Sequence, residues 1–387
     1  MDKISSYIDK VITNKEKKMK HSSRKHAKFS ASGSSKWVNC AGSVQAEAGY
    51  KNKSSSAAKE GTAAHELADV CFKDKTEPHS KIGETYEDIV VDEEMVNHVQ
   101  KYMDYVTSIA DMSHSPIQFY EKRVDFSNVV PKGFGTLDSA VYLPEAKALH
   151  IFDLKYGRGV RVNAFENTQA ILYAIGMLNE KELEGLEIED IYIHICQPRL
   201  NHFDEWHTCP EEIEQWHSVF AKAVELALSD NPPRTPSETA CKWCLAKADC
   251  PALAQVVENE ILDLLEDETV NTLSDERKRR ILEAKPLIEQ FISSIEEQVM
   301  NTLLEGGEFK GFKLIEGRST TKWKAEAEIY LESQYGDKVF NRKLIGITEA
   351  KKLIDKQDFE KLTEKASGSP KLVTEGTKGK EIYSIKF

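Results

Sequence analysis

The chain has 387 residues, a formal net charge of −12, 40% apolar and 30% charged residues, and seven cysteines. This length holds one large core with a smaller module beside it. The acidic balance excludes a protein coated in basic residues, although a local basic field remains compatible with it. No run approaches the roughly 20 consecutive apolar residues of a membrane-spanning helix, so no membrane partner is expected. The opening stretch MDKISSYIDKVITNKEKKMK has no apolar signal core, and the expected location is a reducing cytoplasm, where cysteines serve as ligands or core residues rather than as disulfides.

Residues 1–28 form a basic arm with a short helix expected near Ile4–Ile12. Eight Lys or Arg lie between Lys10 and Lys28; such a run either touches phosphate or is an ordinary solvated terminus. FSASGSSKWVNCAGSVQAEAG reads as a serine-rich turn leading into a short helix that carries Trp37 and Cys40. After a polar link at 51–58 the spacing predicts a helix over about 57–72, a loop over 73–90, and a helix over about 93–110 with apolar residues three and four apart. From Ile117 the period changes to two, and IQFYEKRVDF, GTLDSAVYL and ALHIFDLKYG read as three strands, with PEAK as a tight connection between the last two. Helical spacing returns over 163–179. LEIEDIYIHICQPR is a fourth strand, EWHTCP an edge strand and 211–228 a helix. Strands and helices mixed in this order predict an α/β core with a mixed sheet. Beyond about residue 256 the texture becomes Glu-, Leu- and Ile-rich. A long helix is expected over 252–304, then a strand pair in GFKLIEGRSTTKW, two short helical pieces, and a final strand in TKGKEIYSIKF. The expected division is 1–28 arm, 29–256 core, and 257–387 helical extension with a small α+β module.

Asp138, Asp153 and Lys155 form the leading catalytic constellation. Asp153 and Lys155 are two apart on one strand in IFDLKYG, so they share a face. Asp138, in GFGTLDSAVY, falls on the preceding strand, and antiparallel pairing brings it beside Asp153. Carboxylates that converge repel unless a cation lies between them, and oxygen ligands suit Mg²⁺ or Mn²⁺. The lysine then orients a water and stabilises charge on a phosphate. Read singly, Asp138 is a turn residue and Asp153–Lys155 a surface ion pair. His65, in KEGTAAHELADV, can supply a nitrogen to the metal or be a helix-surface histidine; it shares a helical face with Asp69, and Gly61 offers close approach of another backbone. Gln169 and Tyr173, in ENTQAILYAIG, share a helical face and can hold a phosphate or the lysine. Glu121, in FYEKRVDF, is a further candidate to add charge near the metal or bind a water, although Glu-Lys-Arg is common at strand edges.

Cys241, Cys244 and Cys250 read C-x2-C-x5-C, three thiols where a metal site wants four ligands. A fourth comes from upstream, from a partner, or not at all. Cys71, Cys196 and Cys209 read as ordinary structural cysteines, the first two at core positions on a helix and a strand.

These motifs, EGTAAH with His65, GTLD with Asp138, DLK with Asp153 and Lys155, and QAILY with Gln169 and Tyr173, resemble the RecB-like branch of the PD-(D/E)XK nuclease superfamily over residues of about 28 to 256. The wider pattern, SASGSSKWVNCAGS followed by EGTAAHELAD, resembles an uncharacterised phage and prophage family. The resemblance implies a restriction-endonuclease-like fold and a metal-dependent deoxyribonuclease of phage replication or recombination, acting on DNA ends or single strands in a bacterial host cell. Mg²⁺ or Mn²⁺ is then held by His65, Asp138, Asp153 and the carbonyl of Leu154, with Lys155, Gln169 and Tyr173 completing the catalytic set. Likeness to Cas4- and AddB-type iron–sulfur nucleases further implies a [4Fe-4S] cluster on Cys40, Cys241, Cys244 and Cys250, with zinc as the alternative. The implied partners are DNA and a phage single-strand binding protein, polymerase or recombinase. The rival reading is a non-catalytic DNA-binding or replication scaffold on the same fold.

Overall fold

The computed structural model describes residues 27–50, 55–265 and 275–374, apart from 325, 341–343, 345, 352, 366–367 and 369. The expected helix near Ile4–Ile12, nearly all of the basic arm and the strand in TKGKEIYSIKF lie outside these residues. Two compact units divide the chain, Met1–Ile288 and Glu289–Phe387.

The first unit is built on helix α1 (Ser34–Asn39), helix α2 (Ser56–Asp74), helix α3 (Glu93–Ala110) and a five-stranded sheet. Caps set the helix starts. The Ser55 side chain accepts from the Ala58 N–H ahead of α2, and Asp92 accepts from the Met95 N–H ahead of α3, each satisfying an N–H with no partner inside its helix. Strands β1 (Ile117–Asp125), β2 (Phe134–Leu143), β3 (Ala148–Leu154), β4 (Asp190–Gln197) and β5 (His202–Thr208) lie side by side in chain order. Only β3 and β4 run parallel. A parallel pair needs a crossover, and helix α4 (Thr168–Leu178) lies in that connection. Helix α5 (Pro210–Leu228), the short α6 (Glu238–Lys242) and α7 (Pro251–Leu265) follow the sheet.

Helices cover both faces, which explains why every residue of β3 is buried. Leu149, Ile151 and Ile193 pack with α4, α5, Phe29 and Trp37 on one side. Val141, Phe152 and Leu154 pack with α2 and α3 on the other, together with the buried Cys71 and Cys196. The expected mixed α/β sheet flanked by helices is what forms, with a distinct helical region toward the C-terminus.

The stretch expected as one helix over 252–304 is described as α7 and then α8 (Asp275–Leu304), with 266–274 outside the described residues. In the C-terminal unit, β6 (Phe312–Ile315) and β7 (Thr321–Trp323) do not form the expected pair. Helices α9 (Ala327–Tyr335) and α10 (Lys356–Leu362) follow, then β8 (Thr363–Lys365) and β9 (Lys371–Thr374). β7 pairs with β8 and β6 with β9, both antiparallel, so each strand takes a partner from beyond the intervening helices. Ala327, Leu331, Val339, Ile354, Phe359 and Leu362 make this unit's own core.

Candidate metal centre and active site

Strand register assembles the site. In the β1–β2 ladder, Tyr120 pairs with Ser139 and Lys122 with Leu137, so Glu121 falls opposite Asp138. In the β2–β3 ladder the last pair is Ser139 with Phe152, one step short of Asp138 and Asp153. Glu121, Asp138 and Asp153 therefore form one row across three strands, and opposite residues in antiparallel strands share a face. Glu121 itself is left-handed, with φ of 43, a conformation a glutamate in mid-strand adopts only when its surroundings impose it.

Helix α2 brings in His65. Its Nδ1 lies 2.9 Å from Asp138 Oδ1, while the Leu154 N–H donates to Asp138 Oδ2 at 2.6 Å. One ligand atom each from His65, Glu121 and Asp138 lies within 4.8 Å of the others. Asp153 stands outside this group and pairs with Lys155, whose Nζ is 2.8 Å from Asp153 Oδ2 and 3.2 Å from Oδ1. The same ammonium donates to Gln169 Oε1 at 2.9 Å, and Gln169 Nε2 donates to the Tyr173 hydroxyl at 3.2 Å. Lys155 is thus held between β3 and α4. Gly135 makes room for this arm, since a Cβ there would stand 2.8 Å from Tyr173 Cε1.

Burial and mutual charge shape the ionisation. Burial, then the Asp138 charge, pushes the Glu121 carboxyl up to about 7. Burial opposes charge on both members of the next pair, yet the Asp138 carboxylate raises the His65 pKa above the ordinary imidazole value, and His65, with Lys155 and the Leu154 N–H, lowers that of Asp138 below the usual carboxylate value. Burial pushes the Asp153 carboxyl up, against the pull of Lys155. Asp153 Oδ2 is buried and receives no hydrogen bond, despite its closeness to the ammonium. One imidazole and two carboxylates with ligand atoms within 4.8 Å of one another suit a divalent ion that takes oxygen and nitrogen ligands.

One detail differs from expectation: a Cβ on Gly61 would meet nothing within 4 Å among the described residues, so no described backbone approaches there, while Asp69, on the face of His65, pairs with Lys73 at 2.7 Å. Glu121, the weakest of the acidic candidates in sequence, belongs to the convergent group, and only its backbone conformation shows why.

Residues 26–380 match the model of a family described as a protein of unknown function, DUF2800. The chain belongs to this family. Among the described residues of this DUF2800 protein, no helix is long and apolar enough to cross a membrane.

Membership of DUF2800 brings with it no PD-(D/E)XK or iron–sulfur label, and the structure corrects the cofactor expectation. Cys40, Cys241, Cys244 and Cys250 line a cavity of about 20 Å³. That is room for about one water, too little for a [4Fe-4S] cubane. Zinc fares no better: among the described residues the one set of three or more ligand atoms within 4.8 Å of one another is His65, Glu121 and Asp138, and it contains no cysteine. Burial raises the Cys241 thiol and pushes Cys244 up to about 11. The N-terminal segment is nonetheless tied to this region by ordinary contacts. The Thr235 N–H points at Cys40 Sγ (3.3 Å), the Gly42 N–H donates to the Pro233 carbonyl (2.8 Å), and Glu47 takes both the Leu245 N–H (2.7 Å) and the Lys36 ammonium (2.7 Å).

Proposed function

We propose that this protein is a metal-dependent deoxyribonuclease that hydrolyses a phosphodiester bond. The observation that carries the reading is the convergence of His65, Glu121 and Asp138 beside the Asp153–Lys155–Gln169 chain. A divalent cation such as Mg²⁺ or Mn²⁺, held by those three residues with Asp153 and the Leu154 carbonyl as further donors, would neutralise charge on the scissile phosphate and acidify a water.

The remaining work falls to this chain's own groups. Lys155 presents a fixed positive charge to the phosphate oxygens as they gain charge. Gln169 orients that ammonium, and Tyr173 orients Gln169. Water oxygen forms the new bond to phosphorus, and the bond to the sugar oxygen breaks, that oxygen leaving with a proton. A binding scaffold without turnover has no use for an ammonium held by two acceptors next to a cation site.

Cleavage of end-labelled linear and of circular DNA in Mn²⁺ tests the proposal, with Lys155→Ala as control. Mn²⁺-dependent cleavage that the control loses supports it. DNA binding with no cleavage under any divalent cation would establish the scaffold reading instead.

A further inference from the structure

The segment that joins Lys155 on the β3 side to Gln169 on α4 is an ordered loop, stapled along its length. Gln197 is 2% exposed, and its amide replaces a missing strand: Oε1 accepts the Val162 N–H at 2.8 Å while Nε2 donates to the Val160 carbonyl at 2.9 Å. The Ala164 N–H donates to Asp204 Oδ2 at 2.7 Å, and the Arg199 guanidinium lies 4.6 Å over the Tyr156 ring. Arg158 is bound to Glu94.

Phe165, Arg161, Val160 and Glu166 are among the exposed side chains of this loop that the staples leave over, and the first two have the chemistry to meet a nucleic acid strand. Phe165 is 66% exposed, and its one ring contact among the described residues is a T-shaped one with Trp206 at 5.6 Å. It sits in the turn just before Asn167, whose side chain caps α4 by accepting the Ala170 N–H. Arg161 is exposed and makes no hydrogen bond or ion pair among the described residues. An exposed aromatic ring and an unpaired cation four residues apart on the ordered loop that follows Lys155 have the composition of a platform for single-stranded nucleic acid: bases stack on the ring and the phosphate meets the guanidinium. Duplex bases are already stacked on each other and cannot use the ring.

We infer that Phe165 and Arg161 bind an unpaired DNA strand and feed it to the site, giving the protein a preference for single-stranded DNA or frayed ends over intact duplex. The inference rests on the proposed nuclease function for its substrate, but its test does not depend on cleavage. In EDTA, fluorescence anisotropy reads the binding of a short labelled oligothymidylate and of a blunt duplex.

Phe165→Ala weakens oligothymidylate binding about tenfold, in line with the loss of one stacked base, and leaves duplex binding unchanged, while Phe165→Trp restores single-strand binding. Arg161→Ala lowers the slope of log affinity against log salt by about 0.7, the value for one phosphate contact on a single strand. Oligothymidylate binding within twofold of the unaltered protein in Phe165→Ala overturns the inference, as does an unaltered protein that binds no oligothymidylate. Parallel cleavage assays separate the two ideas. Cleavage without Phe165-dependent binding leaves the nuclease standing and removes the platform; Phe165-dependent binding without cleavage does the reverse.

Discussion

Glu121 faces Asp138 across the β1–β2 ladder from a left-handed backbone, φ 43, and the two carboxylates share a site with His65. Holding glutamate in that conformation costs of the order of 1–3 kcal/mol, and a carboxyl with its pKa near 7 adds the penalty of a half-buried charge. Both costs are met where a cation would recover them.

Glycine and alanine at this position separate backbone from side chain. Glu121→Gly and Glu121→Ala each weaken Mn²⁺ binding, by at least about tenfold for a lost ligand, measured by calorimetry. Glycine accepts φ of 43 without strain and alanine does not, so the glycine variant is the more stable of the two by about 1 kcal/mol in urea denaturation. Unchanged Mn²⁺ affinity in both variants would remove Glu121 from the site.

In the proposed reaction Gln169 would act through Lys155, from which it accepts a hydrogen bond at 2.9 Å. Gln169→Leu keeps the volume and removes the acceptor, so the ammonium is no longer fixed between two partners. Cleavage by this variant falls about 100-fold, the scale of a misplaced catalytic group, with Mn²⁺ affinity and KM for DNA unchanged. A rise in KM with an unaltered kcat would mean that Gln169 binds substrate instead.

Much of the site is legible in sequence because a few residues break the pattern of their own element. Asp153 and Lys155 put a charge pair on a strand that otherwise reads as core, and Asp138 does the same one strand earlier. Gln169 and Tyr173 are linked by helical spacing alone. Glu121 carries no comparable signal: its neighbours Lys122 and Arg123 make an ordinary strand edge, and its role depends on a local reversal of backbone hand that no residue preference announces. Gln197 is hidden for a similar reason, since its use as a substitute strand depends on where the Val160–Val162 backbone passes. The cysteines show the opposite error. A spacing that fits a metal motif brings four thiols to one cavity without setting their sulfurs at ligand distances from one another. Gly61 misled too, because a glycine in sequence does not say whether anything approaches it.

A buried histidine pair in the sheet, whose His150 shares a strand with Asp153, contributes to acid sensitivity. His150 Nδ1 and His194 Nε2 are 3.0 Å apart in the sheet, and the Tyr105 hydroxyl lies 3.0 Å from His194 Nδ1. Burial pushes the His150 pKa down to about 4 and, with His150 adding to it, that of His194 to about 3. Both rings are therefore neutral in the fold and charge more readily once unfolded, where imidazole titrates near 6.5. Their contribution is complete above about pH 6.5 and is lost as pH falls toward 4, at up to about 1.4 kcal/mol per pH unit for each ring. Urea midpoints between pH 7 and 4 check this, and the double variant His150→Gln/His194→Gln flattens the slope. An equal slope in that variant would assign the acid sensitivity to carboxylates.

Two glycine-to-alanine changes give opposite outcomes, and together they test the packing of the helices that deliver the site residues. In α4 a Cβ at Gly176 would stand 2.7 Å from Val124 Cβ and 2.8 Å from Val124 Cγ2. Neither the helix nor β1 can give way cheaply, so Gly176→Ala costs about 1–3 kcal/mol, and the shift it forces on α4 is passed to Gln169 and Tyr173, lowering cleavage along with stability. In α2 a Cβ at Gly61 meets open space. Replacing a glycine inside a helix then brings only the gain in helix propensity, and Gly61→Ala stabilises the protein by up to about 1 kcal/mol without disturbing His65 one turn later. Equilibrium denaturation of the two variants, with cleavage rates alongside, reads both signs. A destabilised Gly61→Ala would mean that α2 packs more tightly around that position than the structure places it.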